Sequence, residues 1–514
     1  MLHEGQPMTD QQYSEIERTR LNKLAALQQQ GLDPFPARVQ RSHTTQQALA
    51  VFEASESQAD AAPVQAALVG RIRSIRQMGK LIFAHIEDGY GRLQLFLRAD
   101  TLGAEQMDAF REYYDLGDYV QASGELFRTR AGEVSLNVVA FHMIAKAITP
   151  LPAAKDEVVD GEVVRHATLS DPETRFRQRY ADLAVNPQVR EVFRLRAAIT
   201  RALREFLDSH DFLEVETPVL QPVYGGAAAR PFVTEHNQLK QDLYLRISFE
   251  LYLKRLLVGG FERVYEIGRD FRNEGVSRKH NPEFTMLEFY MAYADYQRVM
   301  EFTEEMLRFT AQQVLGGTKL SYQGHEIDLG REWPRITIAD AVRQYAGIDL
   351  DQHPDAASLA QAMLAKQYYV SPNANRGKLI ESLVGDHVEP HLIQPSFLYD
   401  YPREISPLAK SSPGDPQTVE RFEGYVAGFE LCNAFSELND PLDQLARFEE
   451  MGRTMGDEDE DRHPLDEDYL RAMRYGMPPN GGFGMGIDRL TMLFTDQPNI
   501  REVILFPHLR KREE

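Results

Sequence analysis

The stretch from Phe261 to Asp295, FERVYEIGRDFRNEGVSRKHNPEFTMLEFYMAYAD, constrains the fold more than any other part of the chain. Two apolar runs with period-two alternation flank a charged segment containing Gly275 and Asn281-Pro282, which predicts two strands facing each other across a loop. In the second run Phe284, Met286, Glu288 and Tyr290 share one face, while Thr285, Leu287, Phe289 and Met291 share the other. A carboxylate therefore stands on an otherwise apolar strand face. Burying it unpaired would cost on the order of several kcal/mol, so Arg269, Arg272 or a bound cation is expected beside it. These residues alone fit a structural Arg–Glu pair and a ligand site equally well.

A chain of 514 residues predicts two or more domains with ample material for a large core. At 43% hydrophobic and 26% charged it has the composition of a globular protein rather than a disordered one. The formal charge of -21 argues against non-specific nucleic-acid binding, although it leaves room for local basic patches. With Cys432 as the single cysteine, an internal disulfide and a multi-cysteine zinc site are both excluded. The N-terminus has no apolar signal core, and no window reaches the ~18 apolar residues of a membrane span. A cytoplasmic protein without a membrane partner is the expectation.

Ser14 to Gln30 reads as an amphipathic helix stopped by Gly31, with Ile16, Leu24 and Leu27 available to dock on a neighbour. Val51 to Pro63 reads as a linker or helix end. From Val64 to about Pro150 five short alternating runs are broken by turn residues, the pattern of a small five-stranded oligonucleotide-binding (OB) barrel. Arg71, Arg73, Arg76 and Lys80 cluster there with Phe83, either as cations beside a stacking ring or as a solvated edge with a core phenylalanine. ETRFRQRYADLAVNP adds Arg175, Arg177 and Arg179 after a connector. The boundaries expected are 1–62 for a helical extension and linker, 63–150 for the barrel, 151–187 for the connector and 188–514 for an α+β domain built on an antiparallel sheet with flanking helices.

Within that last segment, Gln188 to His210 is a periodic helix with Val189, Phe193, Ile199, Leu203 and Phe206 on one side, followed by the strand FLEVETPVL. Gly225-Gly226 allow close backbone approach, and Glu250 opens a further helix. A small helical insertion is expected from about 347 to 394. Its HVEPH phrase lacks the HExxH spacing of a metal pair and contains Pro390. RFEGYVAGFELCNAFSELND, Arg421 to Asp440, reads as an apolar strand in which Glu423, Asn433, Phe435 and Glu437 share parity and Glu430 does not. For Glu423 and Glu430 to reach one ligand, the chain must bend or bulge near Gly428. GGFGMGIDRLTMLF spaces Gly482, Gly484 and Gly486 by two, unlike GxGxxG, and no GxxxxGK[ST] loop occurs.

FRNEG followed by RKHNPEFTMLEFY resembles motif 2 of the class II aminoacyl-tRNA synthetases, and in its wording the lysyl-tRNA synthetase family. The helix, strand and Pro218 resemble motif 1, GGFGMGIDRLTMLF resembles motif 3, and the stretch containing GKLIFAHIED resembles the anticodon-binding barrel of the lysyl, aspartyl and asparaginyl enzymes. The resemblance implies a homodimer joined through motif 1 that activates L-lysine with ATP and Mg²⁺ and transfers it to the terminal adenosine of tRNA(Lys). Protein-lysylating relatives lack the barrel. In this pattern Arg272 binds the α-phosphate and the amino-acid carboxylate, and Arg489 binds the outer phosphates. Glu274 meets the adenine amino group, Phe284 stacks on adenine, and His280 and Asn281 shape the phosphate turn. Glu423 and Glu430 hold the metal, Glu423 also belonging to the ATP site. Lysine is assigned to Gly226, Glu250, Glu288, Tyr290, Asn433, Phe435 and Glu437, with Glu250 on the α-ammonium and Glu437 and Tyr290 on the ε-ammonium. Phe83 stacks on an anticodon base, Gln94 and Glu133 read base edges, and Arg76 contacts the same loop. Lys279 and Ile75 stand where the family pattern has arginine.

Overall fold

The computed structural model describes residues 13–511 except 59–60, 153–154, 160–161, 167–168, 373 and 455–463. The chain divides into two units, Met1–Asp171 and Pro172–Glu514. Parts of the expected N-terminal extension and connector therefore lie outside the described residues.

In the first unit helix α1, Glu15–Gln29, opens with a capping box in which Ser14 and Glu17 satisfy each other's backbone N–H groups. Its Leu27 is buried in the core of the unit, whereas Ile16 stays 57% exposed. A second helix, α2 at Thr45–Glu56, carries another capping box from Thr44 and Gln47 and adds Ala48 and Phe52 to that core. The stretch from Val51, expected as a linker or helix end, begins as the end of this helix. Strands β1 (Gln65–Met78), β2 (Leu81–Glu87), β3 (Arg92–Arg98), β4 (Tyr119–Arg128) and β5 (Val134–Ala145) close a barrel in the order β1-β2-β3-β5-β4. Alternate residues such as Leu68, Ile82, Ala84, Leu95, Val120 and Leu136 fill its interior.

The second unit starts with two short helices that the sequence assigns to the connector. Here Arg175 bonds Asp182 and Glu502, Arg177 bonds Glu173, and fully buried Arg179 bonds Asp182. These arginines find partners within the unit. Helix α3, Pro187–Asp208, buries Val189, Ile199, Leu203 and Phe206 as its periodicity requires. Strand β6 is only Leu213–Glu214, shorter than the apolar run FLEVETPVL, because the chain past Val215 turns aside. Helix α4 (Glu250–Val258) precedes β7 (Arg263–Phe271) and β8 (Glu283–Ala292), the two strands foreseen around the charged loop. Helix α5 (Tyr296–Leu315) packs on α3.

The other strands along the main sheet are β9 (Arg335–Thr337), β10 (Ser396–Pro402), β11 (Asp415–Val426), β12 (Phe429–Ser436) and β13 (Asn480–Gly486), the last leading directly into helix α6 (Ile487–Phe494). They complete one sheet in the order β9-β10-β11-β12-β13-β8-β7-β6, antiparallel except at its two ends. Arg421 to Asp440, expected as a single strand, is therefore a hairpin. Ala427 and Gly428 turn it with φ of 56° and 74°, the left-handed pair that a two-residue hairpin needs. The insertion is helical as expected, with Ala356–Ala365 and Arg376–Leu383 packing Leu359, Met363, Leu379 and Leu383 into a core shared with Leu398 of β10 and Val419 of β11. His387 and His391 stack on Tyr368 and Tyr345.

One sheet face carries the main core, where Phe289 of β8 stacks on Phe483 of β13 at 4.6 Å. Both rings are buried. Phe289→Ala should destabilise the unit by about 3–5 kcal/mol, seen as a lower urea midpoint in the unfolding of the purified chain.

Candidate functional site

The other sheet face floors a cavity of about 390 Å³. Register places residues across it in rows. Glu288, Gly484, Asn433 and Glu423 pair successively across β8, β13, β12 and β11, and Tyr290, Gly482, Phe435 and Arg421 form the adjacent row. The glycines of β13 are what leave room: a Cβ on Gly482 would collide with Glu437 Oε1 and the Tyr290 ring, and one on Gly484 would press on the Met286 methyl. The alternate residues, Phe483 and Met485, point into the core.

Glu430 joins this face through a bulge. Glu423 pairs with Asn433 and Gly424 with Cys432, but Tyr425 pairs with Glu430, so Leu431 is an extra residue that shifts the parity of everything before it. A turn at Gly428 and a bulge at Leu431 together bring Glu423 and Glu430 to the same cavity. Gly226, Glu250, Arg272, Glu274, His280, Asn281, Phe284, Glu288, Tyr290, Asn433, Phe435, Glu437 and Arg489 line it as well.

One end of the cavity is acidic. Glu288 accepts from Ser248 Oγ at 2.8 Å, the Phe249 N–H at 3.3 Å and the Tyr290 hydroxyl at 3.2 Å, so neither Arg269 nor Arg272 is its hydrogen-bonding partner. Burial, then the nearby charges of Asp270 and Glu250, push its carboxyl up to about 8. Arg269 instead approaches Glu283, at 3.6 Å. Glu250 and Glu437 are also buried, and burial raises both. Between them lies Lys254, fully buried one helical turn after Glu250, with Nζ 2.5 Å from Glu250 Oε1 and ion-paired to Glu437 Oε2. Its charge survives burial because the two carboxylates outweigh the loss of solvent. Gly226, at φ +89°, packs so tightly on Ser248 and Glu250 that a Cβ would meet both at 2.9 Å.

The opposite chemistry is supplied by arginines. Arg272 leaves the end of β7 with its guanidinium 5.1 Å from the centre of the Phe284 ring. Behind it Asp270 is fully buried, 3.6 Å from Arg246 Nε, and burial pushes its carboxyl up to about 7. Arg489, in the first turn of α6, donates to the Glu430 carbonyl at 2.8 Å and carboxylate at 3.0 Å, and its Nη2 lies 3.2 Å from His280 Nε2. Burial and Arg489 lower the His280 imidazole, which favours its neutral form. Ser277 Oγ bonds His280 Nδ1 at 2.8 Å and so orients the ring. Lys279 reaches back toward the Gly428 carbonyl at 3.5 Å.

Glu423 accepts from Tyr401, Tyr425 and Arg421 at 2.8, 2.5 and 2.6 Å. No group of three His, Cys, Asp or Glu among the described residues is placed to hold a metal alone. Two carboxylates on one wall, beside Arg489, instead fit a hard cation that takes its remaining ligands from phosphate oxygens and water. Lys254, Ser248 and Arg421 belong to the site without having been singled out in the sequence. Lys254 had a signal, the Glu-to-Lys spacing of four on a predicted helix. Arg421 stands two residues before Glu423 on one strand, and Arg421 Nε bonds Asn433 Oδ1 at 3.0 Å.

On the barrel, Phe83 pairs across strands with exposed Arg76, and its ring lies 5.0 Å from Phe96, which is 5.4 Å from Phe127. Gln94 donates to Glu133 at 2.8 Å, and His85 bonds the other Glu133 oxygen at 2.7 Å. A row of partly buried rings thus borders a polar cluster, the combination that stacks and reads single-stranded bases. Arg71 stacks over Tyr119 and Arg73 pairs with Glu87, so these two have partners on the barrel itself. Ile75 packs against its core.

Comparison with known proteins agrees with this division. The family described as tRNA synthetases class II (D, K and N) matches residues 171–510, and the OB-fold nucleic acid binding domain matches residues 66–149. The lysine–tRNA ligase of Roseiflexus castenholzii is 52% identical over 500 residues, covering 97% of this chain and 99% of its own length. That of Chloroflexus aurantiacus is 52% identical over 502 residues, with 98% and 99% covered. That of Moorella thermoacetica is 48% identical over 501 residues, with 98% and 99% covered.

A cationic ligand that needs Glu288 ionised must displace its proton whenever the pH lies below about 8. Affinity should therefore rise with pH between 6 and 8 by up to about tenfold per unit and level off above. Calorimetry in buffers of different ionisation heat should record proton release below pH 8.

Proposed function

Because the chain belongs to the class II tRNA synthetases of the D, K and N group, we propose that its cavity joins lysine to ATP and that the enzyme then transfers the lysyl group to tRNA(Lys). The observation that carries this reading is the polarity of the cavity, with Glu250, Glu288 and Glu437 buried at one end and Arg272 and Arg489 in the same chamber. A site built from buried acids rejects a ligand without cations, because those acids are then left unpaired. Lysine has two ammonium groups for them and a carboxylate for Arg272.

Activation brings that carboxylate against the α-phosphate of ATP, two anions that repel. Arg272 is suited to neutralise both, since a guanidinium binds oxygen pairs in a fixed fork. The carboxylate oxygen attacks phosphorus, the bond to the β-phosphate oxygen breaks, and diphosphate leaves. Arg489 meets the outer phosphates after releasing Glu430. Phe284 stacks on adenine, with Glu274 accepting from its amino group and His280 and Asn281 shaping the phosphate turn. Glu423 and Glu430 would hold a divalent cation, taken as Mg²⁺, which supplies charge neutralisation to the phosphates. In the second step a ribose hydroxyl of the terminal adenosine attacks the acyl carbon and AMP leaves.

Phe83 stacks on an anticodon base in this reading, with Gln94, Glu133 and Arg76 around it. The open edge at β6 supports a homodimer formed through the motif 1 region, since Leu213, Val219 and Leu220 are 41 to 49% exposed. Among the described residues no helix is long and apolar enough to cross a membrane, and a single buried cysteine suits a reducing cytoplasm.

ATP–diphosphate exchange across the twenty amino acids should respond to lysine, and absence of that response would remove the proposed substrate. Arg272→Ala should slow lysine-dependent exchange by about 10²–10³-fold. Glu437→Gln should raise KM for lysine far more than for ATP. Phe83→Ala should leave exchange unchanged while weakening tRNA charging by an amount worth about 1–3 kcal/mol of stacking. Charging of tRNA also separates this reading from lysylation of a protein acceptor.

A further inference from the structure

Lys254 takes no part in the chemistry described above, yet it is fully buried against two acids that line the cavity. We propose that Lys254 is a positioning residue for substrate selection, a permanent counter-cation that holds Glu250 and Glu437 at the spacing of a lysine-length diamine. The inference rests on the lysine-activating reading and deepens it.

Three features of the geometry carry it. Lys254 is fully buried and contacts one oxygen of each acid, Oε1 of Glu250 and Oε2 of Glu437. Each carboxylate therefore keeps its second oxygen for a ligand. Glu437 Oε1 lies where a Cβ of Gly482 would fall, on the cavity floor. The ammonium also sits 5.5 Å from the centre of the Phe435 ring, another cavity wall, so it is braced on the side away from α4.

Lys254 enters the charge count of these three acids directly. Glu250, Glu288 and Glu437 supply three negative charges when ionised, and the two ammonium groups of lysine supply two positive ones. Lys254 is the third. A buried ion triad that served stability alone would gain little from being ionic, since apolar replacements of similar volume commonly perform as well. Here both acids also face a ligand chamber, and tying them to one atom fixes the distance between their free oxygens. A diamine one methylene shorter then reaches one carboxylate and misses the other.

The test compares lysine with ornithine in ATP–diphosphate exchange, using the wild type and Lys254→Met. In the variant KM for lysine should rise about tenfold or more, KM for ATP should stay within about twofold, and the lysine-to-ornithine ratio of kcat/KM should fall by about tenfold. A merely structural role would lower both substrates together and leave the ratio in place, which would overturn the proposal. If Lys254→Met does not fold, a crystal of the wild type soaked with lysine decides: Nζ should keep both carboxylates, and its withdrawal from either would overturn the proposal. A wild type that shows no lysine-dependent exchange would instead sink the underlying assignment of substrate, so the two failures are distinguishable.

Discussion

The structure depends on keeping several carboxylates out of water on the face of a β-sheet. Each would cost several kcal/mol if left without donors, on the order given by transfer measurements. The fold answers with fixed partners at most of these acids. Ser248, the Phe249 amide and Tyr290 serve Glu288, and Lys254 serves Glu250 and Glu437. Tyr401, Tyr425 and Arg421 serve Glu423. Compensation is incomplete at Glu288, whose carboxyl is held near 8 by burial and by neighbouring acids. That residual deficit is a binding potential for cations, and it lies in the cavity lining.

Sheet geometry turns this electrostatic arrangement into a shape. Four adjacent strands bring Glu288, Gly484, Asn433 and Glu423 into one row. Glycine at every second position of β13 removes the side chains that would fill the space above the row, while Phe483 and Met485 on the reverse face anchor the strand in the core. One strand is thus floor on one side and packing on the other. The bulge at Leu431 then adds Glu430 to the floor without breaking the hairpin that carries Glu423.

The alternation of Phe284 to Met291, the barrel of five strands and the helical insertion were all legible, because period-two patterning and turn residues report local geometry directly. The recurrence of family motifs in their usual order added what pattern alone left open between a structural ion pair and a ligand site. What was not legible is long-range register. Parity placed Glu430 off the face that holds Asn433, since a one-residue bulge is invisible to counting. Arg421 to Asp440 read as one strand because Ala427-Gly428 lacks the Asn-Gly or Asp-Gly wording of a tight hairpin. The start of helix α2 was missed, only its end after Val51 being read as linker or helix end, although Thr44 and Gln47 carry the capping-box spacing. The partner of Glu288 was sought among charged residues of its own hairpin, whereas Ser248 and Phe249 come from the approach to α4.

The contrast between Glu288 and Lys254 explains why the two ends of the cavity need different cations. In the proposed reading, phosphate and carboxylate oxygens arrive from solvent and are gripped in a fixed plane, which suits guanidinium groups that remain partly open, as Arg272 and Arg489 do. The acidic end must accept a mobile ammonium while never collapsing on itself when empty. An arginine there would occupy both oxygens of a carboxylate and leave nothing for the ligand. A lysine ammonium is a compact point charge that binds one oxygen from each of two acids, as Lys254 does with Glu250 and Glu437, so each of these two carboxylates keeps a second oxygen that the ammonium does not contact.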